Sequence, residues 1–404
     1  MVRTPNGGDY GVDLLARHHE RYDHAGDHHT PEELIVKVEF FQTLAYYGPD
    51  HGDSWPAPPR TCEPEYSRIT FERGIEQCVA AHQAGFDSLN VAEHHYSPKM
   101  LSPDPLIYAA VVGREIPDAQ IGVFGTNLPL NNPVRIAEQY AMLDNLLGGR
   151  LRIGMLRGTP NEYLTYGTNP WESRQRFEEA VLLLQRCFSE PEPFGWEGCY
   201  FRFRNIAIWP RATQQPHPRI LISGNSRDGA TFAGRHGLDL GFSYMAPDKC
   251  AANLEAYHQA AADAGWMPTA DNVQYRQFLY VDHSDEAAQV VQEQYEGGGL
   301  LALFMGASAD MMGVIGMAGA GMGGAPKGFV PPPGSAPPLV PWPPLVGSPD
   351  TVMARIAEAR AGFEFDRLEV SIGVGVNPIP HELAMQSIKL LAETVIPAIH
   401  EDRF

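Results

Sequence analysis

Asn132-Pro-Val-Arg-Ile-Ala-Glu-Gln-Tyr-Ala-Met-Leu-Asp-Asn-Leu-Leu-Gly-Gly-Arg-Leu-Arg-Ile-Gly-Met-Leu-Arg-Gly158 is the stretch that decides the fold. It reads as helix, tight turn, strand and ligand-facing loop in succession. Asn132 is an N-cap residue, and Pro133 stands at the first helical position, where a missing amide hydrogen does no harm. Ile136, Tyr140 and Leu143 recur at helical spacing, with Ala137 and Leu147 close by, and mark an apolar face. Gly148-Gly149 ends the helix, because glycine accepts the positive φ of a C-cap. Residues 151–156 form a short strand, and Arg157-Gly158 follows at its carboxyl end. A guanidinium there, beside a glycine that lets a ligand approach the backbone, suits a phosphate.

The same rhythm extends outward. Strands are expected over 36–41, 88–92, 120–125, 219–223, 238–242, 274–281 and 368–372. Helices are expected over about 71–84, 104–114, 172–186, 248–265, and from about 225 and 380 onward. Alternating strands and helices mean a parallel sheet, and about eight such units make an α/β fold, a (β/α)8 TIM barrel with insertions. The barrel domain is expected over 35–404. Residues 1–34 are polar and rich in Gly, Asp and His, and are expected to be a flexible extension. Its His18-His19-Glu20 and Asp27-His28-His29 lack a surrounding pattern that would fix ligand geometry, so no metal is expected. Residues 297–344 break the rhythm with Gly-Gly-Gly, a Met- and Gly-rich run and Pro-rich turns. Such a stretch before the last βα unit is expected to be a lid or a plain insertion. As a lid it would offer Met311, Met312, Met317 and Met322 as adaptable apolar contacts.

Of 404 residues, 44% are apolar, enough for a full core, and 30 Lys plus Arg face 49 Asp plus Glu, a net charge of -19. That balance argues against general nucleic-acid or anionic-membrane binding. Five scattered cysteines (Cys62, Cys78, Cys187, Cys199 and Cys250) show no metal spacing and favour a reducing compartment. No leader-like opening and no run of 18 apolar residues is present, so a cytoplasmic protein is expected.

Three blocks in sequence order carry a resemblance: Gly85-Phe-Asp-Ser-Leu-Asn-Val-Ala-Glu-His-His95, Ile121-Gly-Val-Phe-Gly-Thr-Asn-Leu-Pro129, and the 132–158 unit. Together they resemble the bacterial luciferase-like flavin-dependent monooxygenases. The likeness runs from about Val36 to Asp248 and returns at 347–352. It implies a (β/α)8 barrel that binds reduced flavin mononucleotide (FMN) or, in one branch, a deazaflavin.

Glu93-His94-His95 ends the second strand, where barrel catalytic groups gather. As bare residues they fit a proton carrier, a structural pair or a metal site. The resemblance matches His94 to the histidine beside the flavin's reactive edge. That implies general acid/base work and stabilisation of a flavin peroxide, with His95 as second candidate and Glu93 tuning the imidazole. The resemblance also implies a non-proline cis peptide at Phe124-Gly125 beneath the flavin ring; a β-bulge is the plain alternative. Asn127 offers a donor and an acceptor to a ring edge, or is a turn residue. Arg157 matches the phosphate-binding arginine. Asn225, Ser226 and the Gly229 amide, where a strand enters a helix, are expected to complete that site. Asn225 is a mild departure from the residues the family favours there. Glu162 and Tyr163, on the Arg157 loop, are expected near substrate or flavin. Glu172-Ser173 is expected to cap a helix. Trp196, Tyr200, Phe201, Phe203 and Trp209 are expected to pack a loop on the barrel.

The resemblance therefore implies an FMN-dependent two-component monooxygenase. Reduced FMN would come from a separate NAD(P)H:flavin reductase, and a C4a-peroxyflavin would oxidise a small apolar substrate by hydroxylation or Baeyer-Villiger insertion. A homodimer is expected, without nucleic-acid or membrane partners. The alternatives are a deazaflavin-dependent oxidoreductase moving a hydride, and a non-catalytic flavin-binding subunit of a luciferase-like heterodimer.

Overall fold

Strands β1 (Lys37–Phe41), β2 (Ser88–Val91), β3 (Gln120–Asn127), β4 (Leu151–Leu156), β7 (Ile220–Ser223), β8 (Asp239–Ser243), β9 (Val273–Val281) and β11 (Arg367–Ile372) pair in parallel, β11 closing back on β1. They form the expected eight-stranded barrel. The computed structural model describes residues 36–49, 56–295, 342–375 and 377–402. The expectations for 1–34 and for all but the end of 297–344 fall outside those residues. Between the strands run α1 (Pro64–Gln83), α2 (Pro105–Glu115), α3 (Pro133–Leu146), α4 (Pro160–Tyr166), α5 (Ser173–Ser189), α6 (Arg227–Arg235), α7 (Pro247–Asp263), α8 (Asp285–Tyr295), α9 (Pro349–Gly362), α10 (His381–Glu393) and α11 (Val395–His400). Among the described residues, no helix is long and apolar enough to cross a membrane.

Strand alternation divides the core into two chemistries. Leu89, Val91, Ile121, Val123, Ile153, Leu368 and Val370 pack against helix residues such as Val112, Tyr140 and Leu184 in one buried apolar cluster. The alternate positions fill the barrel interior with charge. Arg152 Nη1 and Arg367 Nη1 donate to Glu39 Oε1 at 2.5 and 2.8 Å. Asn90 Nδ2 bridges Glu39 (3.0 Å) and Glu369 (2.7 Å), and Arg276 Nε pairs with Glu369. Burial pushes the Glu39 carboxyl up, but Arg152 and Arg367 outweigh it and hold the group below its usual range. Burial wins at Glu369, whose carboxyl is raised despite Arg276, with the charge of Glu39 adding to the rise.

Several boundaries differ from expectation. Helix α1 starts at Pro64, with proline at its first position and Glu65 in its first turn. The aromatic segment after α5 is an antiparallel hairpin, β5 (Phe194–Glu197) and β6 (Arg202–Ile206). Buried Glu179 clamps it, accepting from Trp196 Nε1 and the amides of Cys199, Tyr200 and Phe201 at 2.9–3.1 Å. Trp209 does not pack as expected: it lies beyond the hairpin's last strand and is 84% exposed. Glu172 has helical backbone and makes no side-chain cap; its carboxylate accepts from Asn169, and the Ser173 hydroxyl donates to the Pro170 carbonyl. Strand β10 (Leu345–Gly347) adds to the far end of β9, past the last residue that pairs with β8.

Candidate active site

The carboxyl ends of β2, β3, β4 and β7 bring most of the expected residues to one mouth of the barrel. At the end of β2, backbone bonds hold the chain in place: the Glu93 amide donates to the Gly125 carbonyl and the His94 amide to Ser102, each at 3.0 Å. His94 Nδ1 lies 3.0 Å from Glu162 Oε1. Glu162 is fully buried, and its other oxygen accepts the Thr159 amide at 2.8 Å in the capping box of α4. One carboxylate thus starts a helix and orients a histidine. Burial pushes the Glu162 carboxyl up, but His94 and the Thr159 bonds outweigh that and hold it below its usual range. Glu93 serves the other histidine. Its Oε1 lies 3.0 Å from His95 Nε2, and its Oε2 accepts the Asn127 amide at 3.0 Å. The Tyr166 hydroxyl closes the chain 3.0 Å from His95 Nδ1. The carboxylate beside His94 is therefore Glu162, 68 residues along the chain, rather than its neighbour Glu93.

Phe124-Gly125 is a cis peptide, and the register of β3 against β4 shifts at the same place, so both readings of this dipeptide describe it. A Cβ on Gly125 would meet the Gly154 carbonyl oxygen at 2.4 Å, so only glycine fits. Arg276 Nη2 donates to the Phe124 carbonyl at 3.2 Å. Asn127 is buried, and its side-chain nitrogen reaches the Glu93 carbonyl at 3.4 Å, so it braces the β2 loop.

On the β4–β7 side, Arg157 is half-buried. Its Nη1 is buried and unbonded, and the side chain makes no ion pair among the described residues. Burial lowers its pKa from the ordinary arginine value; Tyr163, Asp228 and Glu178 oppose this and the charge of Arg174 adds to it. Arg174 Nη2 donates to Ser226 Oγ at 3.3 Å, bringing a second guanidinium to the same place. Ser226 caps α6, accepting the Gly229 amide at 3.2 Å. That amide is thus bonded within the chain. The Asn225 side chain is likewise engaged, bonding the Ser243 backbone at 2.9 and 3.0 Å. Arg174 is itself paired with Glu178 and Asp228, each at 3.6 Å, so an anion here would meet Arg157 and the Ser226 hydroxyl directly and Arg174 in competition with those carboxylates. Tyr163 donates its hydroxyl to the Arg157 and Gly158 carbonyls at 3.0 and 3.2 Å and so supports the loop.

Arg174 escaped the sequence reading, although a signal was present. It is a cation in the first turn of α5, where the helix dipole disfavours positive charge unless an anion compensates. Tyr166 and Arg276 carried no comparable signal.

The chain is similar to known proteins in sequence and in fold. Over 239 residues the chain is 22% identical to the oxygenase component of flavin-dependent trigonelline monooxygenase from Acinetobacter baylyi, covering 58% of this chain and 66% of that one. The chain spans about half to two thirds of the length of the curated relatives it matches. The crystal structure of monooxygenase RslO1 from Streptomyces bottropensis superposes with a TM-score of 0.69 at 25% identity, covering 90% of this chain and 99% of that one. An F420-dependent secondary alcohol dehydrogenase shares the fold at 17% identity and a TM-score of 0.63, covering 90% and 99%. Residues 52–364 match the luciferase-like monooxygenase family, and the chain belongs to it.

Proposed function

We propose that this chain is the oxygenase component of a two-component FMN-dependent monooxygenase, receiving reduced FMN from a separate NAD(P)H:flavin reductase. The observation that carries this reading is the buried, unpartnered Nη1 of Arg157 beside Arg174. Burying a guanidinium nitrogen without a hydrogen-bond partner is unfavourable, and a bound phosphate would supply one. Arg157, Arg174 and the Ser226 hydroxyl would hold the phosphate, and the glycine backbone at Gly125, where no side chain fits, would receive the ring.

Bound reduced flavin supplies the electrons for activating O2, and the chain binds, orients and shields. Glu162, as the ionised acceptor, holds the His94 proton on Nδ1, so Nε2 is the atom that takes or gives a proton during oxidation of a small organic substrate. Glu93 holds His95 in the same manner from the other side. The exposed Ile107 and Val111 of α2 and Met142 and Leu146 of α3 form the apolar face that the proposed homodimer would bury. Five unpaired thiols suit a reducing cytoplasm.

Anaerobic titration with reduced FMN and with reduced F420, followed by O2 uptake over a compound panel, tests the reading. Reduced FMN should bind and support substrate-dependent O2 consumption. Preferential F420 binding with no O2 use would replace the proposal with hydride transfer. His94→Ala should bind reduced FMN as the parent does, yet lose about 10²–10⁴-fold in product and release hydrogen peroxide instead.

A further inference from the structure

The anion site on the β4–β7 side contains anions of its own. Arg174 stands in the first turn of α5, and two carboxylates flank it. Glu178, one turn further along α5, places Oε1 3.6 Å from Arg174 Nη1. Asp228, in the first turn of α6, places Oδ2 3.6 Å from Arg174 Nε. That Nε is buried without a hydrogen bond, so Asp228 holds it by charge alone. The third branch, Nη2, donates to Ser226 Oγ at 3.3 Å. Both carboxylates also act on Arg157, whose own Nη1 is unbonded.

Three features make these carboxylates more than helix supports. The first is the charge count. Arg157 and Arg174 alone would offer two positive charges to a phosphate, and Glu178 and Asp228 set two negative charges beside them. The second is exposure. It climbs from 14% for the Arg174 side chain to 34% at Glu178 and 53% at Asp228, so the acids border solvent and the cation they hold does not. A phosphate that draws on Arg174 must take it from them. Burial already lifts the Glu178 carboxyl above its usual range against the pull of Arg174; Asp228 adds to the rise and Arg235 opposes it. The third is orientation. Arg174 precedes Glu178 at i,i+4, the weaker order for a helix pair, so little stability depends on it. Asp228 does suit the N-terminus of α6, and that contribution is measured separately below.

We infer that Glu178 and Asp228 are built-in competitors for Arg174, which lower the affinity of the phosphate site and so keep the flavin exchangeable. A chain that receives reduced FMN from a separate reductase must release the oxidised form after turnover, and the phosphate is the same group in both. Two unopposed guanidiniums would hold it through the whole cycle. The inference rests on the FMN reading for what exchange serves, while competition for Arg174 applies to any phosphate monoester.

Equilibrium binding and dissociation rates of oxidised FMN on the full chain, with inorganic phosphate as a second ligand, test it. Asp228→Asn and Glu178→Gln should each tighten FMN about 10-fold and slow its release, and should tighten inorganic phosphate as well. Asp228→Glu keeps the charge and should bind as the parent does. Arg174→Met should bind FMN more weakly than the parent. In that background Asp228→Asn should gain much less than 10-fold, because its effect is carried through Arg174. An equal gain in both backgrounds would mean plain repulsion of the ligand and would overturn the competition. So would FMN affinity that is unchanged or weaker in both Asp228→Asn and Glu178→Gln. Melting temperatures of the apo variants report the helix contribution; a merely structural role would lower them without tightening FMN. If the parent binds inorganic phosphate but no FMN, and the two variants tighten phosphate, the flavin reading fails and the competitor assignment stands. If neither ligand binds parent or variants, both fall.

Discussion

Arg152 and Arg157 stand five residues apart, one within β4 and one just beyond it, both withdrawn from water, and their surroundings differ in kind. Arg152 is met from within the chain: Glu39 takes one terminal nitrogen, Gln274 the other, and the Phe124 ring lies 4.9 Å from its guanidinium. Arg157 makes no ion pair among the described residues: its Nη1 is unbonded, the like charge of Arg174 acts on it, and the carboxylates of Asp228 and Glu178 oppose that without touching it. Folding has paired the first charge directly and left the second with carboxylates only at a distance and one nitrogen unbonded. The difference separates a charge that is architecture from a charge that is a site.

The two arginines should therefore fail in opposite ways. Arg152→Ala would leave Glu39 buried with one partner fewer, and breaking such a pair costs about 3–5 kcal/mol. The variant should unfold at markedly lower urea concentration, or fail to accumulate folded, and its defect should be independent of FMN. Arg157→Ala removes a half-buried charge that has no ion pair among the described residues, so the apo chain should be as stable as the parent or slightly more so. Its affinity for reduced FMN should fall about 10–100-fold, the loss of one charge-assisted contact. Urea unfolding of both variants beside anaerobic FMN titration gives the comparison directly. If Arg157→Ala proves as destabilising as Arg152→Ala with FMN binding intact, the distinction collapses.

Inorganic phosphate sharpens the same contrast with a smaller effect. At about ten times its Kd it should stabilise the parent by ~1.4 kcal/mol through mass action, seen as a raised melting temperature. It should also compete with FMN. Chloride at equal ionic strength should not reproduce this, and Arg157→Ala should abolish it. A phosphate response that survives in Arg157→Ala would move the anion site elsewhere.

The contrast also shows which parts of the molecule were legible in the sequence. Glycine and proline punctuation and short apolar runs placed all eight barrel strands, because those signals are local. Arg157 was legible for the same reason: it ends a strand and precedes a glycine. The interior network was not, since both faces of a barrel strand are buried and periodicity does not say that one is ionic. Its partners are also far apart in the chain; Glu39 and Arg367 are separated by 328 residues. The pairing of His94 with Glu162 was hidden likewise, because a carboxylate next door in sequence drew attention to Glu93. Asn225 and Gly229 matched an expected position, but their hydrogen-bonding groups turn inward to Ser243 and Ser226. Position along the chain locates a backbone and leaves open what the side chain bonds.

Glu162 tests the comparison where the effect is smallest, because it is a mouth residue that is satisfied like an interior one. In the folded chain its carboxyl ionises at lower pH than the ordinary value of 4.5: burial works against this, and His94 and the Thr159 bonds overcome it. The unfolded chain therefore binds more protons here as pH falls through that window. The contribution to stability is fully present above the unfolded pKa and disappears as pH drops through the folded one. Glu39 is depressed in the same direction, so the parent's acid sensitivity alone cannot single out Glu162. The difference between parent and Glu162→Gln can. Unfolding free energies measured from about pH 6 down to about pH 3 should differ by a constant amount above the carboxylate range and converge below it. Parallel curves would mean that the Glu162 charge contributes nothing to the fold. The same variant separates stability from chemistry. A glutamine can donate to His94 Nδ1 as well as accept from it, so the proton is no longer held there. Product formation should then fall near neutral pH, where the stability cost is steady. If activity instead follows the stability curve, the His94–Glu162 contact is only a brace for α4.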